Sequence, residues 1–116
     1  MATKIILHLQ DSAFAQALAK SMAEDPLLGN LPISSCQDEQ RLSPAWVYIM
    51  DAEALNCPRM KEVISGREPR VVLLVNRGDE TSYAAAWRMN IRKVVERTLP
   101  ADVVRLAVLG EVRRSH

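Results

Sequence analysis

The stretch AWVYIMD, residues 45–51, decides the fold, because six apolar or aromatic residues run without interruption up to an aspartate. A strand that is apolar on both faces is covered on both faces, as in the parallel sheets of α/β proteins. A second stretch, RVVLLVN at residues 70–76, has five apolar residues in a row. We therefore predict two central strands of a parallel sheet, at residues 45–50 and 70–76, with Asp51 at the end of the first.

Shorter strands and helices alternate on either side of these two segments. KIILHL, residues 4–9, is an apolar run typical of a strand. An Ala-rich segment with helical spacing follows at residues 13–25, with Asp11 or Ser12 as its N-cap. The remaining predicted elements are a weak strand at 33–36, one or two helical turns at 38–43, a brief helix at 58–65, a helix at 81–89, a strand at 92–95 and a last helix at 101–114. This alternation predicts a flavodoxin-like three-layer α/β sandwich around a five-stranded parallel sheet of order 2-1-3-4-5, with shortened second and third helices.

Length and composition fit one ordinary domain. At 116 residues the chain can bury one hydrophobic core, and we expect residues 1–116 to form a single domain. No apolar run approaches the roughly 18 residues of a transmembrane helix, and the N-terminus lacks a signal-peptide pattern. Cys36 and Cys57 lie far apart without metal-ligand spacing, so we expect reduced thiols. The sequence therefore predicts a cytoplasmic protein with no membrane partner.

The two halves of the chain differ in charge. Residues 1–58 contain three Lys/Arg and seven Asp/Glu, a balance of −4, whereas residues 59–116 contain twelve and seven, a balance of +5. This asymmetry fits either a basic binding face or solvated helix surfaces. Aromatic residues make up only 4% of the chain and do not interleave with basic ones, so we expect no direct nucleic-acid contact.

Five polar or charged residues are predicted at the carboxyl ends of the strands: Gln10, Asp11, Asp51, Asn76 and Arg97. In doubly wound sheets, ligands bind outside these ends, at the point where the strand order reverses. This edge of the sheet is therefore the candidate site, although Asp11 also fits a purely structural role as a helix N-cap.

Three stretches of the chain resemble the response-regulator receiver family. They are LHLQDSAFAQAL at residues 7–18, WVYIMD at residues 46–51, and the segment from VVLLVN to LPADVV at residues 71–104. The resemblance covers nearly the whole chain and implies that Asp51 occupies the phosphoacceptor position. In that family an acidic pair and the phosphoacceptor bind Mg²⁺, a Ser or Thr after strand 4 contacts the phosphoryl group, and a Lys after strand 5 pairs with it.

Three positions of this set differ in the present chain. The acidic pair becomes Gln10–Asp11, and the Ser/Thr position falls on Val75, or on Asn76 if the register shifts by one residue. The Lys position falls on Arg97, whose guanidinium is larger and differently shaped. Loss of a carboxylate weakens a site for Mg²⁺, which prefers oxygen ligands. The resemblance therefore implies a degenerate receiver with no catalytic residue, cofactor or metal.

The resemblance also implies a signalling face formed by helix 4, strand 5 and helix 5 of the family. The last predicted helix is apolar around much of its circumference, so part of it would stay exposed unless it packs more deeply. An exposed apolar stripe on a small domain indicates a partner surface. The candidates for this stripe are the pairs Val104/Val108 and Leu106/Leu109. The residues expected on the interaction face are Trp87, Met89, Arg92, Lys93, Arg105, Leu109 and Arg113.

The favoured hypothesis is a phosphorylation-independent, receiver-like domain that dimerises or binds a protein partner. It would form the N-terminal regulatory part of a bacterial transcription regulator or ATPase, with Arg97 paired to Asp51 or Asp11 in place of a metal. The alternative is a receiver that a histidine kinase phosphorylates on Asp51, with Mg²⁺ held by Asp11 and Asp51. An enzyme of another flavodoxin-like family is disfavoured, because the sequence has no Gly-rich phosphate loop, nucleophile elbow or evident Ser–His triad.

Overall fold

The computed structural model describes residues 3–66 and 68–114, which form a five-stranded parallel sheet and four flanking α-helices. Residues 1, 2, 67, 115 and 116, which the predicted single domain includes, lie outside the described ranges. None of the described helices is long and apolar enough to cross a membrane. The strands are β1 (Ile5–His8), β2 (Ile33–Ser35), β3 (Val47–Asp51), β4 (Val71–Val75) and β5 (Lys93–Glu96), and the helices are α1 (Ser12–Ala23), α2 (Pro58–Ile64), α3 (Glu80–Arg88) and α4 (Ala101–Arg114).

The strand order along the sheet is β2-β1-β3-β4-β5, and every neighbouring pair is parallel. The predicted flavodoxin-like architecture is therefore confirmed. β3 and β4 are buried along their whole length, which is why both appear in the sequence as unbroken apolar runs. The core on one face includes Leu18 of α1 and Val108 of α4, and the core on the other includes Met60 of α2 and Ala86 of α3. This arrangement leaves the carboxyl ends of β1, β3, β4 and β5 side by side at one edge.

The connection from β2 to β3 contains no α-helix, so the helical turns predicted at residues 38–43 are wrong. A single 3₁₀ turn at Cys36–Asp38 follows β2 instead, and the side chain of Ser35 caps it. Pro44 disfavours helical backbone at the residue before it, and residues 39–46 have no regular structure. The third helix of the predicted pattern is short, as expected, because α2 has only 7 residues.

Side chains from neighbouring elements fix this helix-free connection. Arg59, in the first turn of α2, donates to the carbonyls of Cys36 and Glu39 at 3.1 and 2.5 Å. The hydroxyl of the buried Tyr48 donates to the carbonyl of Ser43 at 2.6 Å. Burial raises the pKa of the Tyr48 phenol, which keeps this donor protonated. These bonds satisfy backbone acceptors that a helix would have satisfied internally.

Only part of the apolar surface of the last helix remains exposed. Val104 and Val108 are completely buried, and Leu109 packs against the same core. Leu106 and Val103 remain 56% and 41% exposed. The exposed apolar part of α4 is therefore the stripe formed by Val103 and Leu106.

Candidate functional site at the carboxyl edge of the sheet

Asp51 is the last residue of β3 and lies at the carboxyl edge of the sheet. Its side chain is only 7% exposed, and both of its carboxylate oxygens have partners. Oδ2 accepts a hydrogen bond from the backbone N–H of Gln10 at 2.7 Å. Oδ1 lies 3.1 Å from Nη2 of Arg97. The carboxylate is thus held between the loop that follows β1 and the loop that follows β5.

Arg97 is positioned by the backbone of the neighbouring strand. Its N–H donates to the carbonyl of Val75, the last residue of β4, at 2.7 Å, which fixes the chain just beyond β5. Its Nη2 contacts Asp51 and also donates to Oε2 of Glu53 at 2.8 Å. Burial acts to lower the pKa of Arg97, but the hydrogen bond to Glu53 and the charge of Asp51 outweigh burial, so the pKa is raised. The guanidinium therefore remains charged between the two carboxylates.

Glu53 is the member of this site that sequence reasoning missed. It lies in a 3₁₀ turn at Ala52–Asn56 that directly follows β3, and its side chain is 47% exposed. Its own backbone N–H, and then Arg97, lower the pKa of the Glu53 carboxyl. The sequence does show a second carboxylate two residues after Asp51. Its role becomes clear only once the structure shows that Arg97 contacts both Asp51 and Glu53.

A cavity of about 340 Å³ lies beside Asp51 and brings several predicted residues together. Asp11 uses its carboxylate to cap α1, accepting the N–H of Phe14 at 3.0 Å. Gln10 and Arg97 also border this space. The residues that line the cavity are Leu9, Gln10, Asp11, Phe14, Asp51, Leu74 and Arg97.

Val75 and Asn76, the two candidates for the Ser/Thr position, give no hydrogen-bond donor to Asp51. Val75 is fully buried and its side chain has no polar atom. Asn76 is exposed, and its carbonyl accepts the N–H of Asp79 at 3.1 Å in the turn before α3. No hydrogen bond joins Asn76 to Asp51 within the part of the chain that the structure describes.

The residues at this edge are a poor fit to a Mg²⁺ ion. Mg²⁺ usually binds through one or two carboxylates and keeps several waters, so existing hydrogen bonds and a resident cation on those carboxylates oppose its binding. Both oxygens of Asp51 already have partners, and Asp11 is engaged as a helix cap. The positive charge beside Asp51 and Glu53 is the guanidinium of Arg97. Among residues 3–66 and 68–114, no group of three or more His, Cys, Asp or Glu is arranged to hold a metal ion.

The residues predicted on the interaction face fall into different environments. Those exposed around β5 are Trp87, Arg92, Lys93 and Arg113, and Trp87 is 84% exposed. Met89 and Leu109 are instead partly buried against the two cores.

Arg105 lies on the opposite side of α4 from β5, where it forms an ion pair with the buried Asp25 in the loop after α1. Leu106, one of the candidates for the exposed apolar stripe, is exposed. Tyr83 and Val103 are exposed as well, and sequence reasoning did not place them on the face. Their exposure depends on how the helices pack, which residue type alone does not reveal.

Comparison with known proteins defines the class of this fold. No family model and no curated protein matches the chain. The chain is similar to a response regulator CheY-like protein from Mesorhizobium loti, with a TM-score of 0.66 and 16% identity, covering 96% of this chain and 99% of that one. A response regulator receiver domain from Rhodospirillum rubrum gives a TM-score of 0.63 and 16% identity, with 95% and 94% covered.

A third similar structure is the response regulator DrrB, a Thermotoga maritima OmpR/PhoB homolog, with a TM-score of 0.71 and 15% identity. The match covers 98% of this chain but only 54% of DrrB, so the chain spans about half the length of that protein. Together the three structures establish that the chain has the fold of response-regulator receiver domains, as the sequence resemblance implied. At this level of identity they show the fold alone, so the chemistry of the site depends on the residues themselves.

Proposed function

We propose that this domain is a receiver-like signalling module that acts through protein contacts and without phosphorylation of Asp51. The observation that carries the proposal is the guanidinium of Arg97 between the carboxylates of Asp51 and Glu53. We further infer that the domain is not an enzyme, acts in the cytoplasm, and forms the N-terminal regulatory part of a bacterial transcription regulator or ATPase. The OmpR/PhoB homolog among the similar structures supports the regulatory role.

The surroundings of Asp51 oppose phosphoryl transfer. Transfer to an aspartate depends on positioning and on charge neutralisation around a free carboxylate oxygen. A phosphoryl group on either oxygen of Asp51 would weaken that oxygen as an acceptor and so weaken its contact with the N–H of Gln10 or with the guanidinium of Arg97. Leaving a buried polar group without its partner costs about 1–3 kcal/mol. Val75 has no hydroxyl with which to bind the phosphoryl group, so no new hydrogen bond from that position offsets this cost.

The same ion pair favours a single arrangement of the domain. Arg97 directly follows β5, which belongs to the interaction face, whereas Asp51 ends β3 in the middle of the sheet. A charged guanidinium bound to two carboxylates ties these parts together through charge-assisted hydrogen bonds. We infer that the face around β5 has one constitutive form, which a second copy or another protein recognises.

NMR spectroscopy in the presence of Mg²⁺ and beryllofluoride, a mimic of the phosphoryl group, tests this proposal. We expect no saturable shift at the amides of Gln10, Asp51 and Glu53 in the wild-type protein. The matched control is Asp51→Asn, which removes the acceptor while keeping its size, and both proteins should respond alike. Saturable shifts at these amides in the wild type only would support the alternative, a Mg²⁺-dependent receiver that a histidine kinase phosphorylates on Asp51.

A further inference from the structure

The fold brings the two cysteines of the chain to the same side of the sheet. Cys36 belongs to the core on that side and is 3% exposed, whereas Cys57 packs against the same core and remains partly exposed. Both are free thiols. They come from different connections, because Cys36 follows β2 and Cys57 lies just before α2. Their separation in the sequence gives no sign that the two connections meet.

Arg59 and the end of β1 link these two connections. Arg59, two residues after Cys57, donates from Nη1 to the carbonyl of Cys36 at 3.1 Å. Ser35 pairs with Leu7 of β1, and the 3₁₀ turn that Cys36 opens lies against the same strand. His8, the last residue of β1, lines a cavity of about 270 Å³ together with Cys57. Both cysteines therefore lie beside the carboxyl end of β1.

The two thiols differ in their surroundings and therefore in their reactivity. Burial raises the pKa of the Cys36 thiol, the charge of Arg59 partly offsets this effect, and a charged Cys57 would raise the pKa further. Cys36 is therefore held as a protonated thiol that an oxidant in solution does not reach. Cys57 is partly exposed and borders the cavity, and oxidation favours accessible thiols. Of the two, Cys57 is the one that meets an oxidant first.

We propose that Cys36 and Cys57 form a reversible disulfide when the domain meets hydrogen peroxide. Cys57 is the thiol that reacts with the peroxide, and Cys36 is the thiol that then closes the bond. Neither residue lies inside a strand or an α-helix, so the two turns can adjust until their Cα atoms reach the spacing of about 4.4–6.8 Å that a disulfide requires. In a reducing compartment, disulfides are characteristically transient and sense oxidants.

The chemistry balances with hydrogen peroxide as the only oxidant. The sulfur of Cys57 attacks one peroxide oxygen, so that an S–O bond forms and the O–O bond breaks, and the departing hydroxide takes up the thiol proton as water. The sulfur of Cys36 then attacks the sulfenic acid of Cys57, so that the S–S bond forms and the S–O bond breaks. The second hydroxide leaves as water with the proton of Cys36. Two thiols are oxidised, and one peroxide is reduced to two waters.

Oxidation would act on the Arg97 site through one short turn. The 3₁₀ turn Ala52–Asn56 runs from Asp51 to Cys57 and contains Glu53. Drawing Cys57 toward Cys36 displaces this turn and weakens the contact of Glu53 with Arg97, whereas the reduced protein keeps the arrangement described above. The disulfide thereby gives the domain an input that needs no phosphoryl group. This inference goes beyond the proposed function and does not depend on it.

Peptide mapping of the peroxide-treated protein tests the disulfide. Trypsin cleaves after Lys20, Arg41 and Arg59, so the two cysteines fall in separate peptides, residues 21–41 and 42–59. We expect the oxidised wild type to yield these two peptides joined to each other, from a monomer whose intact mass is lower by two hydrogen atoms. Dithiothreitol should separate the peptides and restore the mass.

Single-cysteine variants separate the roles of the two thiols. Cys36→Ser should stop at the sulfenic acid of Cys57, which dimedone, a reagent that traps sulfenic acids, then labels. Cys57→Ser is the matched control and should give neither the label nor the joined peptides. Oxidation should also shift the NMR signals of the Glu53 and Arg97 amides in the wild type, and these shifts should be absent in Cys57→Ser and should reverse on reduction.

The wild-type peptide map decides the inference without any variant. An oxidised wild type without joined peptides, or with a disulfide only between two copies of the chain, would overturn it. Dimedone labelling of Cys36 in place of Cys57 would overturn the assigned order of reaction. The peroxide experiment contains neither Mg²⁺ nor beryllofluoride, so failure of the disulfide and failure of phosphorylation independence are distinguishable.

Discussion

Arg97 carries one positive charge and contacts two carboxylates, Asp51 at 3.1 Å and Glu53 at 2.8 Å. The compact ammonium of a lysine behaves as a point charge, whereas a planar guanidinium offers several donors in a fixed fork. An arginine at this position is therefore not equivalent to a lysine. It allows the side chain to engage the turn after β3 as well as β3 itself.

We predict that Arg97→Ala lowers the free energy of unfolding by about 1–3 kcal/mol, because it leaves the buried Asp51 carboxylate without its cation. Arg97→Lys should cost less, since it keeps the charge. Urea denaturation measures both effects. If the ion pair is the cause, the double variant Asp51→Asn/Arg97→Ala should lose less stability than the sum of the two single variants. Strictly additive losses would show that the two side chains are not coupled.

In the connection between β2 and β3, side-chain hydrogen bonds hold the backbone where a helix would otherwise do so. Arg59 holds this connection through the carbonyls of Cys36 and Glu39. We predict that Arg59→Ala speeds tryptic cleavage after Arg41, because residues 39–46 then open more readily while the sheet stays intact. Lys61→Ala, a change at an exposed position of the same helix, is the control and should leave the rate of cleavage unchanged. Equal rates in wild type and Arg59→Ala would contradict the proposed role of Arg59.

Substitution by alanine should have opposite effects on stability at two glycines, Gly110 and Gly29. Gly110 lies inside α4, and an added Cβ would make only ordinary contacts of 3.5 Å with the flexible side chain of Lys93. Gly110→Ala should therefore stabilise the protein by about 0.5–1 kcal/mol through helix propensity. At Gly29 the added Cβ would lie 2.7 Å from the carbonyl oxygen of Ala23, so Gly29→Ala should destabilise it. Thermal unfolding of the two variants measures both signs, and a lower melting temperature for Gly110→Ala would refute the first.

Strands were predictable from the sequence where burial on both faces of the sheet requires an unbroken run of apolar residues. β3 and β4 are such runs, and the order of the sheet follows from the alternation of strands and helices. The lack of a helix at residues 39–43 was not predictable in the same way. Their composition permits a helix, but Pro44 and the capping bond of Ser35 favour a 3₁₀ turn earlier in the chain.

At the scale of the whole molecule, acid should weaken the fold. The pKa values of four carboxyl groups, Asp25, Glu39, Glu53 and Asp79, are lowered, mainly by hydrogen bonds from backbone N–H groups or neighbouring side chains. A carboxyl with a lower pKa in the folded state binds fewer protons there than in the unfolded chain. It therefore stabilises the fold above its unfolded pKa of about 4, and this contribution is lost as the pH falls through the folded-state value.

We predict that the urea midpoint falls as the pH drops below about 4. Asp25 is the most informative position, because it accepts the N–H groups of Leu27 and Leu28 and pairs with Arg105. Asp25→Asn should be less stable than the wild type at neutral pH but should lose less stability on acidification. An unfolding midpoint that is the same at neutral and acidic pH would contradict this assignment.

The location of the candidate site was predictable from the sequence, but its contacts were not. The ends of the apolar strands place Asp51 and Arg97 at one edge of the sheet. Which atoms meet there depends on loop geometry: Gln10 acts through its backbone N–H, and Glu53 enters from a 3₁₀ turn. The ion pair of Asp25 with Arg105 joins residues 80 positions apart, a distance at which residue spacing carries no signal.

The packing of α4 constrains when the protein can fold during translation. This helix closes one face of the sheet with Val104 and Val108, and its Arg105 pairs with the buried Asp25. A ribosome finishes Asp25 long before it reaches Arg105. Until the last helix emerges, the nascent chain therefore has an uncovered apolar sheet face and a carboxylate without its cation. Stable folding of the amino-terminal half alone is therefore disfavoured, and we expect the sheet and its helices to form as one cooperative unit once α4 is available.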